Sequence, residues 1–258
     1  MVITLLSDFG DVYPASMKGV ILGIDPVANI VDITHSIPRH DIRAGAFILM
    51  TCAKYFPSGT IHIAVVDPGV GTKRRAIAIK SISHDGEIHY FIGPDNGLLI
   101  PAAKSIGIIE VYEISNTNLF LKNISCTFHG RDIFAPVGAH ISKGSKIEDA
   151  GGRILEYKDL DFGVGKKMNG SIHGKVIYID SFGNIITNIS RESVDFLSGD
   201  ELRIGKRRVI FSSSYGFSKE GDPLVFVGSH GFLEVAVNMG NAAKMFCKKQ
   251  GDEIIISD

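Results

Sequence analysis

Three short segments concentrate acids, glycines and amides: Ser7-Asp8-Phe9-Gly10-Asp11, Val66-Asp67-Pro68-Gly69-Val70-Gly71-Thr72 and Gly93-Pro94-Asp95-Asn96-Gly97. Carboxylates there can accept hydrogen bonds from sugar hydroxyls or handle protons, and glycines let the backbone approach a ligand closely. Any one segment alone reads as an ordinary turn, because Asp, Asn and Gly are favoured turn residues. Together they point to a site, since each follows a strand-like apolar run, and open α/β sheets bind ligands beyond the carboxyl ends of their strands. Two look-alikes fail on context. Asp8-Phe9-Gly10 spells a kinase magnesium triplet, but no glycine-rich loop, strand lysine or His-Arg-Asp precedes it. Gly69-Val70-Gly71-Thr72 lacks the later glycine and lysine of a dinucleotide fingerprint or P-loop. The nine histidines are dispersed without an HExxH, and His35 and His40 flank Pro38, so structural or surface histidines are expected rather than a metal site.

The elements that must position these segments alternate. Val2–Ser7, Ile30–Thr34, Ile61–Asp67, Ala76–Ile82, Ile88–Ile92 and Ile108–Ile114 have the composition of strands. Tyr13–Ile24, with Pro14 suited to a first turn, Asp41–Phe56, with Asp41 as N-cap, and Gly130–Lys143 have the length of helices. This pattern predicts an N-terminal α/β domain, residues 1–166, around a mostly parallel sheet covered on both faces. Between Gly151 and Lys167 the chain turns rich in glycine and charge, and the helical signal fades. Short strands at Ser171–Asp180, Ile185–Asn188, Glu201–Ile204, Arg207–Ser212, Leu224–Val227 and Phe232–Val237 predict a smaller all-β barrel over residues 167–258.

Composition limits the function classes. The 258 residues are 45% hydrophobic and 21% charged, which suits globular domains with a full core and excludes a disordered chain. Twenty-seven Lys and Arg against 28 Asp and Glu leave no basic excess, so neither nucleic acid nor an anionic membrane is an expected partner. The longest apolar run, Ala44–Ala53, is too short to span a bilayer. Met1–Leu6 has no basic n-region, and Cys52, Cys126 and Cys247 form neither a disulfide framework nor a CxxC pair, so the cytoplasm is the expected compartment.

Read together, the segments resemble the S-adenosylmethionine hydroxide adenosyltransferases, relatives of the fluorinase and chlorinase. Matching stretches are Leu6–Gly10, Met17–Val20, Ile30–His35, Val65–Thr72, Gly93–Leu98, Thr127–Pro136, Asp180–Asn184 and Phe232–Asn238. They run in order along essentially the whole chain. The resemblance implies cleavage of S-adenosylmethionine at the ribose C5′ by an activated water, giving adenosine and L-methionine without metal or added cofactor. It implies that Asp8 binds both ribose hydroxyls, as a carboxylate accepting two charge-assisted bonds can. It implies that Asp11 and Asp180 contact the methionine end, and that Phe182 and Asn184 form an adenine platform covered by Tyr215. The backbone at Met239 would complete the adenine edge, with Ser229 and Glu234 as further substrate contacts. Asp67, Arg74 and His129 resemble the family's water-handling trio; the choice of Arg74 over its neighbour Arg75 rests on a seven-residue spacing from Asp67.

Two departures stand out: His230 occupies a position where halogenating relatives carry arginine, and the insertion of those relatives in the N-terminal domain is absent. Asp67 replaces the tyrosine of the fluorinase halide pocket, so water rather than halide is the expected nucleophile. Gly130 does not discriminate, because the chlorinase also has glycine there. The rival readings are a halide-dependent adenosyltransferase and an adenosyl-sulfonium sensing protein without turnover, which would need no such trio. The resemblance also implies a homotrimer whose sites join the N-terminal domain of one chain to the C-terminal domain of the next, closing head-to-tail contacts into a ring.

Overall fold

The computed structural model describes residues 1–257. The chain divides into two compact units, one covering Met1–Asp161 and the other beginning at Phe162.

The first unit follows the order β1 (Val2–Ser7), α1 (Tyr13–Ile24), β2 (Asn29–Thr34), α2 (Ile42–Ala53), β3 (Ile61–Val65), β4 (Ala76–Ile82), β5 (Ile88–Pro94), α3 (Ile100–Ile106), β6 (Ile108–Glu113), α4 (Ala135–Ser142) and β7 (Arg153–Ile154). Its seven strands form one sheet in the order β2-β1-β3-β5-β4-β6-β7. β1, β2, β3 and β5 run parallel, as the apolar runs imply. β4 runs the other way between β5 and β6, a direction that periodicity does not encode. Both sheet faces are covered. Gly138 of α4 lies where an added Cβ would meet Ile63 and Ile92, and Gly45 of α2 packs on Leu6, Val66 and Leu98 of the other face. These close backbone approaches explain why β3 is buried along its whole length.

Local signals hold where they have a mechanism. Pro14 lies in the first turn of α1, where a missing N–H costs nothing. The Asp41 side chain accepts the Ala44 N–H at 2.9 Å and starts α2, which ends at Ala53, three residues earlier than expected. The expected helix over Gly130–Lys143 begins as a π-helical turn, Gly130–Phe134, before α4 proper. α3, only seven residues long, has no counterpart in the sequence expectation.

The second unit holds β8 (Lys166–Met168), β9 (Ser171–Ile179), β10 (Ile185–Ser190), β11 (Glu201–Ile204), β12 (Arg207–Phe211), β13 (Pro223–Val227), β14 (Phe232–Val237), α5 (Ala242–Met245) and β15 (Glu253–Ser257). Seven strands follow the order β10-β14-β13-β12-β11-β15-β9, and the β9–β10 pairing closes them into a barrel with β8 added outside on β9. Alternating residues such as Ile172, Val176, Leu202, Ile204, Val235 and Ile254 fill its interior. β15 has no counterpart among the strands the sequence pattern predicts. It lies between β11 and β9 and completes the ring. Among the described residues, no helix is long and apolar enough to cross a membrane.

Candidate functional site

Adjacent parallel strands β1, β3 and β5 send Asp8, Asp67 and Asp95 to one pole of the sheet. β4 starts at that pole because it runs backwards, and the residues before it, Arg74 and Arg75, arrive there too. Asp8 and Asp67 line a common open cleft of about 540 Å³, together with Phe9, Tyr13, His35 and His40. Asp8 Oδ2 accepts the His40 backbone N–H at 2.9 Å. His40 is held at φ 65°, a left-handed conformation unusual for a side chain larger than glycine. That contact comes from a main-chain donor, so no residue type announces it. Ser7 Oγ lies 2.8 Å from His35 Nδ1, and the Gly10 N–H donates to the His35 carbonyl at 2.9 Å, which ties the first loop to the segment after β2.

Beside Asp8 stands the expected trio. Arg74 Nε donates to Asp67 Oδ1 at 3.2 Å and its Nη2 donates to Oδ2, a bidentate pair whose side chains are only 9% and 4% exposed. The same Nη2 lies 3.1 Å from His129 Nδ1. Guanidinium has no acceptor, so His129 Nδ1 accepts and the imidazole proton resides on Nε2. Burial, and then the neighbouring Arg74 charge, lower the His129 pKa and keep the ring neutral. The Arg74 guanidinium also sits 5.5 Å from the centre of the Phe134 ring. The spacing argument for Arg74 is met by geometry: Arg75 turns away, binding Asp95 Oδ2 at 3.0 Å and the Glu156 carbonyl at 2.7 Å.

Two loops must meet to assemble this cluster, and one glycine lets them. Gly71 has φ 75°, and a Cβ there would lie 2.3 Å from the Cys126 carbonyl, so no other residue fits the approach. The third sequence segment is a support. Asn96 Nδ2 donates to the Val66 carbonyl at 2.8 Å, and buried Asp95 is spent on Arg75 and the Lys158 N–H. Asp11 is exposed and lies outside the cleft lining.

The adenine candidates gather in the second unit. Phe182, Asn184, Tyr215, Asn238 and Met239 line a slot of about 530 Å³. Asp180 ends the β9 side of the turn; its Oδ1 accepts the N–H groups of Phe182 and Asn184, each at 2.9 Å, and its Oδ2 accepts Asn184 Nδ2 at 2.8 Å. Asn184 Nδ2 also donates to the Tyr215 hydroxyl at 2.9 Å, which in turn donates to Glu234 Oε1 at 3.3 Å. Burial, reinforced by the Glu234 charge, pushes the Tyr215 phenol up to about 12, so it stays protonated. Glu234 is buried on β14, with His230 Nε2 3.3 Å from its Oε2. Ser229 is exposed in the turn between β13 and β14, which the Gly231 N–H closes onto the Gly228 carbonyl at 2.9 Å. Met239 stands exposed at φ 54°. Among the described residues, no three His, Cys, Asp or Glu side chains converge as a metal site.

Comparisons with known proteins bear on this arrangement. A protein named (R)-S-adenosyl-L-methionine hydrolase from Methanocaldococcus jannaschii is 37% identical over 270 residues, covering 99% of this chain and 95% of that one. One of the same name from Salinispora arenicola is 34% identical over 263 residues, covering 99% and 97%. A crystal structure of a conserved protein from Thermotoga maritima superposes with a TM-score of 0.89 at 38% identity over 100% of both chains. Proteins named fluorinase match at lower identity, 27–28%. Family models for the SAM hydroxide adenosyltransferase N-terminal domain match residues 3–151 and for the C-terminal domain residues 174–255. The chain therefore belongs to the SAM hydroxide adenosyltransferase family.

Proposed function

We propose that the protein hydrolyses S-adenosyl-L-methionine to adenosine and L-methionine, working in the cytoplasm as a homotrimer without metal or added cofactor. The observation that carries this reading is the Asp67–Arg74–His129 cluster, whose Asp67 lines one cleft with Asp8. The sulfonium is already a good leaving group, so the protein's task is to align one water and take its proton. His129 offers an Nε2–H to the water oxygen, and a carboxylate oxygen of Asp67 accepts a water proton. The water oxygen bonds to C5′ as the C5′–S bond breaks with its electron pair going to sulfur. The proton passes to Asp67 and then to solvent, and charge balances because the sulfonium becomes a neutral thioether. Arg74, always charged, holds both partners in register and stabilises the developing hydroxide character. Asp8 would hold the ribose diol, Asp11 and Asp180 the methionine end with Ser229 nearby, and the slot the adenine.

Halide is the less favoured nucleophile, because the Asp67 carboxylate on the cleft wall repels an anion that must also shed its hydration. Incubating the protein with each sulfonium epimer and separating products by chromatography tests the reading. Adenosine release is the expected result, with the (R) epimer of interest because relatives carry it in their names. Binding without adenosine would favour a sensing protein, and 5′-chloro- or 5′-fluoroadenosine at a comparable rate would favour halide chemistry. The trimer with shared sites is supported by the division of ligand groups between two units, and by the 76% and 84% exposure of Phe182 and Met239. Reassembling a mixture of Asp67→Ala and Asn184→Ala chains should restore partial activity; no recovery would place each site within one chain.

A further inference from the structure

The slot in the second unit contains a hydrogen-bond chain in which each polarity follows from the one before. The Glu234 carboxylate on β14 accepts from the Tyr215 hydroxyl at 3.3 Å. With its proton committed, the Tyr215 oxygen accepts one Asn184 Nδ2 hydrogen at 2.9 Å. The second Nδ2 hydrogen goes to Asp180 Oδ2 at 2.8 Å. Both donors of the amide are therefore used inside the protein, and its oxygen remains for the ligand. Asn184 is almost fully buried, so an amide turned the other way would set a carbonyl oxygen against a carboxylate in a dry place. Glu234 itself does not line the slot.

We infer that Glu234 is a positioning residue that, through Tyr215 and alongside Asp180, holds the Asn184 amide with its oxygen toward the 6-amino group of the purine, and so makes the slot choose a 6-amino over a 6-oxo ring. This rests on the adenosyl-binding reading above and moves Glu234 from substrate contact to the layer behind it. A 6-oxo purine presents an acceptor where Asn184 also presents an acceptor. Sites built around one hydrogen-bond polarity reject the mismatched ligand strongly. Replacing Glu234 by an apolar residue frees the Tyr215 proton to donate to a turned amide oxygen, so one of the two bonds that hold the amide is lost and Asp180 alone opposes the second orientation.

Titration calorimetry with adenosine and inosine reads the inference without turnover. The wild-type protein should prefer adenosine by roughly 100-fold or more. Glu234→Leu should reduce that preference to about tenfold or less, chiefly by improving inosine relative to adenosine. Glu234→Gln, whose amide oxygen still accepts from Tyr215, should keep it. Tyr215→Phe, at a partly exposed position, should lose it as Glu234→Leu does and carries the test if the leucine variant does not fold. Unchanged discrimination in the folded Glu234→Leu or Tyr215→Phe protein would overturn the inference, as would a wild-type protein that binds inosine as well as adenosine or binds neither. Selective adenosine binding without cleavage of S-adenosylmethionine would instead sink the hydrolase reading and leave this one standing.

Discussion

The cleft of the first unit and the slot of the second treat their key groups in opposite ways. At the cleft, the Asp67 carboxylate is held in a bidentate pair with the Arg74 guanidinium behind it, the two side chains 4% and 9% exposed, with the His129 imidazole on the same guanidinium nitrogen. In the slot, the polar groups are locked behind the wall, and the surfaces left bare are aromatic and thioether, Phe182 at 76% and Met239 at 84% exposed. Keeping charges dry strengthens every field acting on a reacting atom but makes the cluster costly to break. Bare apolar surface does no chemistry; it gains on covering a ligand ring. On the proposed function, the difference separates turnover from affinity, and mutations should separate the same way.

The largest effect is expected at Asp67. Asp67→Ala should cut turnover about 10³-fold or more while substrate affinity changes less than about tenfold. It should also lower stability by about 3–5 kcal/mol, because Arg74 is left charged and unpaired in a buried place. His129→Ala should lose about 10²-fold in turnover with less effect on stability. Equal losses in binding and rate, measured by calorimetry and initial velocities, would erase the contrast between the two sites. Next comes Phe182→Ala, which should weaken binding by about 1–3 kcal/mol of lost stacking while the rate at saturation holds within about threefold. Arg74→Lys should then sharpen the picture: the ammonium cannot bridge Asp67 and His129 as a fork, and turnover should fall at least about tenfold. Arg75→Lys, next door but committed to Asp95, should stay within about twofold.

The smallest effect on turnover lies outside both sites. His62, buried in the sheet between Thr4 Oγ1 and His89, has its pKa lowered to about 3 by burial, with the neighbouring His89 adding to it. The unfolded chain takes a proton at this group near pH 6.5 while the native chain does not until about 3. Stability contributed by the neutral ring is thus present above pH 6.5 and lost as the pH falls through that window, by roughly 1 kcal/mol per pH unit. Denaturant unfolding at several pH values should show this slope, and His62→Gln should flatten it.

The sequence carries some of this arrangement and not the rest, for physical reasons. Apolar runs reveal β1, β3 and β5, so the loops bearing Asp8, Asp67 and Asp95 are legible as one pole. Hydrophobic periodicity has no sign, so it cannot tell that β4 runs backwards, yet that reversal is what brings Arg74 beside Asp67. The seven-residue spacing picks out the arginine that pairs with Asp67, without the structural cause of that pairing. Asp95 looked like its two counterparts and proved to be a support, because a carboxylate in a turn has the same letter whether it faces a ligand or Arg75. The His40 main-chain donor to Asp8 has no letter at all. In the barrel, short strands and turn glycines announce the class, whereas α5 and the five-residue β15 are too brief to stand out.

The closure of that barrel has a consequence for biosynthesis. β9, the first strand of the ring to be made, needs β15 on one side and β10 on the other, and β15 lies some eighty residues further along the chain. The first unit has every strand of its sheet once β7 has emerged from the ribosome, and domains made first generally fold first. The barrel must wait with β9 and β11 half-paired until Glu253–Ser257 is free. A nascent chain thus carries a finished cleft together with an open sheet edge later in the chain, the state in which strands recruit wrong partners. A chain cut before Glu253 would keep that edge exposed for good, so β15 works as a check that the barrel has been made in full.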